Sequence, residues 1–480
     1  MILTLAFRHL LVRPARSLVL LLGYSLDVAV MIVLLSVGTA MLNQSRDVAL
    51  VGGGEVTALP EGIDVEALRT GGLTGMFFGI DRARYVSRQV LGGPRHRDMV
   101  AGVNPLIEGK LVYLRAGDRT VAVRAGGEIP SRARLAGAGL DVRQGRWDDT
   151  AADTAWIAPT GGRLYDEIDR FHLPEVDDST WAEWHYFNVV TGPEEWWYIT
   201  FLVGGRIRTG RWGGQILVTH RRPDGTYGRF SEAIPSSRIE LDTARADLRL
   251  GGGSVLQDSG VYRVNLRTGP DAGSLEVDLR LLPEPHQYFP PLLLREGEAI
   301  SGYVVPALSA RASGRLCAAG RCRSLGDAPA YHDHNWDVWR GVRWDWGTAR
   351  GARLSLLYGQ VQGGENTYTT DPVFVALVDS LGVSQVLRAR GLEYEGSRPA
   401  AGPGGVTAPE RFAMLASRGA DSIRVRVTVL DALATQVGDG AAAGRYFLQM
   451  RGGFRLEGRI RGRVVSDSGR GFFETWREHN

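Results

Sequence analysis

The chain has 480 residues, room for about three domains of roughly 150 residues, each able to bury a core of its own. Its 56 basic and 53 acidic residues leave a formal charge of +3, and no block of like charge is present to track a phosphate backbone, which excludes nucleic acid as an expected partner. With 63 Gly, 21 Pro and many short runs of alternating apolar and polar residues, the bulk reads as mainly β with frequent turns.

Residues 17 to 42, SLVLLLGYSLDVAVMIVLLSVGTAML, hold one ionisable side chain, Asp27, and exceed the ~20 residues that cross a bilayer as a helix. Arg8, Arg13 and Arg16 precede the run. The positive-inside rule then predicts 1–16 as a cytoplasmic basic segment and 17–42 as an uncleaved single-pass anchor in the cytoplasmic (inner) membrane, with the rest of the chain extracytoplasmic. A cleaved signal peptide is the competing reading, because VGTA at 37–40 resembles a small-residue cleavage site, although the apolar run is longer than a typical signal core. Asp27 in mid-span costs on the order of 2.5–3.5 kcal/mol on insertion scales, which points to a partner contact within the membrane; a long Leu-rich segment that absorbs the penalty is the alternative.

The stretch LAFRHLLVRPARSLVLLLGYSLDVAVMIVLLSVGTAML resembles the first membrane segment of ABC-transporter permeases of the macrolide-exporter or lipoprotein-release type. No later segment reaches the length of a second span, so the resemblance implies association with ABC-transporter permease or ATPase subunits and not transport by this chain. Residues 43–174 are expected to form a permease-like extracytoplasmic region and linker. Its strands are KLVYLRAG and RTVAVRAG and its helices DVEALR and SRARLAGAGL, and the connector LYDEIDRFHLPEVDDST follows.

From residue 181 the strand patterns become dense, from WAEWHYFNVV and EWWYITFLVGG to SIRVRVTVL and YFLQMRGGFRLEGRIRGRVVSD. Their spacing, with turns such as RPDGT and DSLGV, predicts two tandem antiparallel barrels, at 175–347 and 348–480, whose Trp-rich patches at 181–212 and 336–346 meet between them. Barrels of this size can enclose one small ligand. Cys317 and Cys322 flank AAGR in a strand, tight loop, strand pattern, which predicts a disulfide across a hairpin; two isolated buried thiols are the alternative.

The residues WAEWHYFNVVTGPEEWWYITFLVGG and, further on, YHDHNWDVWRGVRWDWG resemble the lipocalin-like superfamily that includes carotenoid 1,2-hydratases (hydroxyneurosporene synthases), the AttH component of an ABC export system and fungal Diels-Alderases. The resemblance covers 175–480. It implies two calycin barrels around an apolar pocket for a hydrophobic small molecule: an isoprenoid, carotenoid or polyketide-like chain. In the hydratases a His and a Trp of a DHNW-type motif and a Tyr-X-Asp on the next strand are implicated in protonating an alkene and adding water. Here His334 and Trp336 match the first pair and Tyr358 the tyrosine, while Gln360 stands where the acid belongs. An amide has no titratable proton to give. The resemblance therefore implies ligand binding before conversion, with a hydratase-like lyase or cyclase using His334, Trp336 and Tyr358 as the alternative if Asp333 or Asp337 supplies the proton. No cofactor is implied.

His332 and His334 flank Asp333 and share one strand face, a geometry that can ligate a metal. The triplet offers two such ligands and no third stands at a recognisable spacing, although His185, His220 and His286 exist, so no metal is assigned. One reading makes Asp333, His334 and Asn335 a hydrogen-bonded network at a barrel mouth. The other turns His334 into a cavity as proton donor or anchor, with Trp184, His185, Trp197, Asp333, Trp336, Tyr358 and Gln360 as ligand contacts. Alternation puts Glu183 and His185 on one face and Trp184 and Tyr186 on the other; which face is inside stays open.

Overall fold

The computed structural model describes residues 14–15, 18–19, 22–33, 80–135, 147–157, 169–174, 177–268, 275–296, 299–339, 343–362, 373–436 and 445–478. Within the apolar run at 17–42, residues 18–19 and 22–33 are described, as helix, with Leu22, Leu26 and Ile32 exposed. Among the described residues no helix is long and apolar enough to cross a membrane. The DVEALR segment lies outside the described residues.

The chain divides into two compact units, Met1–Phe78 with Gly102–Ile157, and Gly79–Ala101 with Ala158–Asn480. In the first, the two strand patterns pair as an antiparallel hairpin of β1 (Leu106–Ala116) and β2 (Arg119–Glu128), turning at Gly117, whose φ of 61° suits glycine. A short helix, Pro130–Leu135, covers the start of SRARLAGAGL. The second unit takes in a helix, α1 (Ile80–Gly92). After α1, the Arg95 guanidinium meets the Asp379 carboxylate at 2.6 Å and ties this segment to the barrels.

The rest of the second unit is two antiparallel barrels, as the strand patterns predict. The first is built from β3 (Trp181–Gly192), β4 (Glu195–Arg206), β5 (Arg211–Arg221), β6 (Tyr227–Pro235), β7 (Ile239–Leu241), β8 (Asp247–Leu250), β9 (Gly253–Asp258), β10 (Val261–Arg267), β11 (Leu275–Pro283), β12 (Phe289–Glu296), β13 (Ala299–Ala318) and β14 (Arg321–Val338). Their order is β6-β5-β4-β3-β14-β13-β11-β10-β9-β8-β7, with β12 on β13; no ladder joins the edges β6 and β7 among the described residues, so this barrel is nearly closed. Cys317 and Cys322 face each other at the tip of the β13–β14 hairpin and are joined by a disulfide.

The second barrel comprises β15 (Arg343–Gly351), β16 (Ser355–Gln362), β17 (Val373–Asp379), β18 (Gly382–Ala389), β19 (Glu393–Glu395), β20 (Arg398–Pro399), β21 (Thr407–Ala408), β22 (Arg411–Arg418), β23 (Asp421–Gln436), β24 (Arg445–Ile460) and β25 (Arg463–Glu478). Pairing of β18 with β22 closes eight of them into a ring. Arg343–Gly347, placed in the first barrel by sequence, thus belong to the second: the tryptophans on both sides of the junction read as one aromatic run, and the change of sheet between β14 and β15 leaves no mark in them.

The alternation explains the two interiors. Along β23, Ile423, Val425, Val427 and Val429 are buried while Arg424 and Arg426 are exposed, a period of two that fills the second core beside Val375, Phe412, Leu448 and Phe473. The first core centres on Phe187, Ile199, Phe201, Ile216, Val264 and Leu279. A third apolar cluster forms the seam where the barrels meet, with Tyr186, Trp196, Tyr198, Tyr303 and Tyr331 from the first and Trp346, Phe374 and Phe472 from the second. Strands at the seam are covered on both faces, so Gly302–Ala310 of β13 are buried without interruption.

Candidate functional site

Two polar centres flank the seam strands. The first lies inside the first barrel. In the β3–β14 ladder His185 stands opposite His334, Glu183 opposite Trp336 and Phe187 opposite His332. Period-two alternation therefore sends Glu183, His185, His332, His334 and Trp336 inward together and leaves Tyr186, Tyr331, Asp333 and Asn335 on the seam face. Into this cluster the connector inserts Asp169 and His172, with Phe171 packed edge-on against Trp181 at 5.7 Å. His334 is fully buried, its Nδ1 2.7 Å from Asp169 Oδ1 and its Nε2 2.7 Å from Glu183 Oε1. The backbone N–H of His172 donates to both Glu183 oxygens at 2.9 Å, and its ring stacks on Trp336 at 3.7 Å. Tyr262 donates its hydroxyl to Asp169 Oδ2 at 2.5 Å. His332 Nδ1 meets the Tyr186 carbonyl at 3.1 Å, and its Nε2 lies 3.4 Å from Asp169 Oδ2.

Burial works against charge at His334, but the hydrogen bonds and charges of Asp169 and Glu183 outweigh it and hold the imidazolium up to about 9. Burial likewise opposes ionisation of Asp169, and the His332, His334 and His185 rings around it reverse the effect, so its carboxyl falls well below the usual range. Glu183 follows the same logic, held down by His172 and His334 against the effect of burial. Burial first, and then the charge of His334, push His185 well below an ordinary imidazole.

The second centre is at the seam. Tyr331 donates its hydroxyl to Asp333 Oδ2 at 2.7 Å and accepts from Trp346 Nε1 at 3.1 Å; Asn335 Nδ2 donates to Asp333 Oδ1 at 2.6 Å. From the other barrel Glu474 accepts from Trp344 Nε1 at 3.1 Å, and Gln449 Nε2 donates to the Tyr186 hydroxyl at 3.2 Å. Burial, then the neighbouring Glu474 charge, hold the Asp333 carboxyl well above the carboxylate range, and burial raises Glu474 to about 7. Tyr331 and Phe472 line a cleft of about 290 Å³ with Leu308, Thr348 and Arg451. It shares Val190, Pro329, Arg451 and Arg470 with a wider outer chamber of about 620 Å³.

The two chambers carry unequal cations. Arg350 is tied to Glu284 and Ser309, and Arg323 to Glu195. Arg451 is 8% exposed, its guanidinium lies over the Phe472 ring at 4.2 Å and the Trp196 ring at 5.7 Å, and its Nε has no hydrogen-bond partner among the described residues. Burial lowers it to about 10.

The sequence-predicted site residues fall into three compartments. His185, Trp197, His334 and Trp336 face the first interior, and Trp197 stacks on His220 at 3.8 Å. Trp184 and Asp333 lie at the seam, Trp184 against Trp339 at 4.6 Å. Tyr358 is in the second core, and Gln360, two residues along the same strand, stands opposite Asp345, which accepts from Tyr394 and Thr475 at 2.6 Å. His334 and Tyr358 therefore do not share a pocket, and none of these residues lines the cleft. Asp169, His172, Tyr331, Arg451 and Glu474 were not singled out from sequence. The one local signal for the first two is the apolar Phe171 inside an acidic connector.

No family model matches the chain, and no curated protein matches it. Among solved structures it is similar to an AttH-type protein of Nitrosomonas europaea, with 16% identity over 64% of this chain and 96% of that one and a TM-score of 0.45. It is also similar to kievitone hydratase of Nectria haematococca (13% identity, 65% and 94% covered, TM-score 0.43) and to CghA in complex with Sch210972 (12% identity, 65% and 94% covered, TM-score 0.47).

Proposed function

We propose that this lipocalin-like double barrel holds a hydrophobic small molecule bearing an acidic group in the cleft between its barrels. Arg451 carries the reading. A buried guanidinium without a carboxylate partner among the described residues is costly, and one that faces an aromatic cleft is relieved by an anionic ligand head while the apolar tail lies along Tyr331, Leu308 and Phe472. Arg470, whose Nη1 donates to the Pro193 carbonyl at 3.2 Å, stands at the junction of the two chambers as a second cation. An isoprenoid or polyketide-like acid fits this chemistry. A test is fluorescence titration of the full chain with a polyene fatty acid and with its methyl ester. The acid should bind roughly tenfold to hundredfold more tightly, as a charge-assisted hydrogen bond allows, and Arg451→Gln should erase the difference. Equal affinities in the parent chain would refute the reading.

The same proposal places the chain in the cytoplasmic membrane through residues 17–42, barrels outside, beside the permease or ATPase subunits of an ABC exporter. The apolar run, Arg8, Arg13 and Arg16 before it, and Asp27 within it support this. A reporter active only outside the membrane, fused after Pro60, should be active; silence there reverses the orientation.

A second reading, an acid-catalysed lyase or cyclase acting on a polyene, is favoured by one observation: a carboxyl held protonated, Asp333, sits one hydrogen bond behind the cleft wall at Tyr331. It assigns proton donation to the Asp333–Tyr331 pair, with the shared hydrogen bond reversed so that the Asp333 carboxyl donates to the tyrosine oxygen as Tyr331 passes its own proton to the ligand, in place of His334, whose two ring nitrogens are engaged inside the first barrel. Incubation with an acyclic carotenoid should then give a mass gain of water or an isomer that Asp333→Asn abolishes; no turnover leaves binding alone.

A further inference from the structure

We propose that the interior of the first barrel holds a divalent transition-metal ion of the zinc class, ligated by Asp169, His185 and His334. One donor atom from each, a carboxylate oxygen and two ring nitrogens, lies within 4.8 Å of the others. Asp169 Oδ1 is 2.7 Å from His334 Nδ1 and 3.9 Å from His185 Nδ1, which brackets the spacing of about 3.3 Å that a tetrahedral ion imposes on donors at ~2.0–2.1 Å.

Two features point to an ion. His185 is 4% exposed, and its Nδ1, turned toward Asp169, has no hydrogen-bond partner among the described residues. A buried ring nitrogen left unmatched costs free energy that coordination recovers. The second is the outer layer. His334 Nε2 is backed by Glu183, the support that orients a metal-bound imidazole and raises its basicity.

The donor set of imidazoles and one carboxylate suits zinc or ferrous iron and excludes the all-oxygen ions. The opposite side of His334, with His172 and Glu183, is the rival location. There Glu183 is already occupied by the His172 backbone N–H on both oxygens, and the His172 ring is committed to Trp336. An ion on the Asp169 side fastens the connector to the β3–β14 ladder, beneath the Trp336–His172 stack.

The full chain, purified free of metal, is dialysed against Zn²⁺ or Co²⁺ and the bound metal counted, with cobalt absorption reporting ligand geometry. About one equivalent per chain, four- or five-coordinate cobalt bands, and a zinc-dependent rise in the unfolding temperature are expected. His185→Ala should lower Zn²⁺ affinity roughly tenfold or more, while His172→Ala leaves it within a few-fold. A folded parent chain that keeps less than about a tenth of an equivalent overturns the proposal, as does loss of binding in His172→Ala with retention in His185→Ala. Should His185→Ala fail to fold, the parent chain's stoichiometry and cobalt spectrum decide, and bands of six-coordinate, water-type cobalt count against the site.

Discussion

Replacing Glu474 by Gln removes a carboxyl that the seam holds in its protonated form. Burial lifts it from an ordinary 4.5 to about 7, against hydrogen bonds from Trp344, Tyr186 and Gln449 that favour the anion. That rise corresponds to about 3 kcal/mol, an upper figure because the residue is only partly buried. The folded state binds this proton more tightly than the unfolded chain. Its contribution is thus intact below the unfolded value of 4.5, declines as pH rises through the interval, and is gone above about 7. The amide keeps the shape and an oxygen for Trp344, and it cannot ionise. Urea unfolding followed by tryptophan fluorescence should give Glu474→Gln and the parent chain equal stability near pH 4, with the variant ahead by up to ~3 kcal/mol near pH 8. Asp333 is raised first by burial, which both chains share, and then by Glu474, which the variant lacks, so its relief in the variant adds to the difference between the two chains in the same sense. A difference that stays flat with pH, or a variant less stable at pH 8, refutes the placement of a protonated carboxyl at the seam.

Three further substitutions test the packing. In Gly347→Ala the added methyl falls on the Tyr358 ring and meets Phe473, so about 1–3 kcal/mol of stability should be lost in chemical unfolding, and no loss would mean that the second core is looser than described. Tyr262→Phe deletes the hydroxyl that donates to Asp169, and roughly 1.5–3 kcal/mol should be lost, since the acceptor is charged and buried. Replacing Cys317 and Cys322 by Ser opens a loop whose ends are five positions apart and already paired in the β13–β14 ladder, so the cost should stay at or below about 2 kcal/mol; a larger loss would show that the hairpin depends on the bond.

Much of the architecture is legible because single-sided strands declare themselves. In SIRVRVTVL the valines and arginines alternate and one face is solvated, so both the strand and its inward side follow from the letters. The seam strands give no such contrast. Ala330 to His334 are all buried, odd positions against the second barrel and even positions in the first interior, and a run with two buried faces has no polar side to orient it. Asp169 and His172 were hidden for another reason: an acidic connector reads as solvated, and only tertiary contact with Glu183, His334 and Tyr262 makes it interior. Arg451 was one arginine among several in RGGFRLEGRIRGRV, and nothing local separates it from the exposed Arg455 and Arg459.

The same alternation decides how AYHDHNWDVWRGVRWDWG can work. His332, His334 and Trp336 point into the first barrel, Tyr331, Asp333, Asn335, Trp344 and Trp346 toward the seam, and Asp345 into the second barrel with Tyr358 and Gln360. A loss of activity or binding on mutating His334 would therefore act across the sheet, through the β3–β14 ladder that also carries Tyr186 and Asp333, because the imidazole itself has no surface in the cleft. Asp333→Asn and Arg451→Gln act at the seam directly and leave the histidine cluster unaltered. If His334→Ala and Asp333→Asn both weaken ligand binding but only the first lowers the unfolding temperature strongly, the interior cluster is a brace and the seam is the site. Equal thermal losses in the two variants would mean that the faces of β14 are not independent, and the division of labour drawn from its alternation would fail.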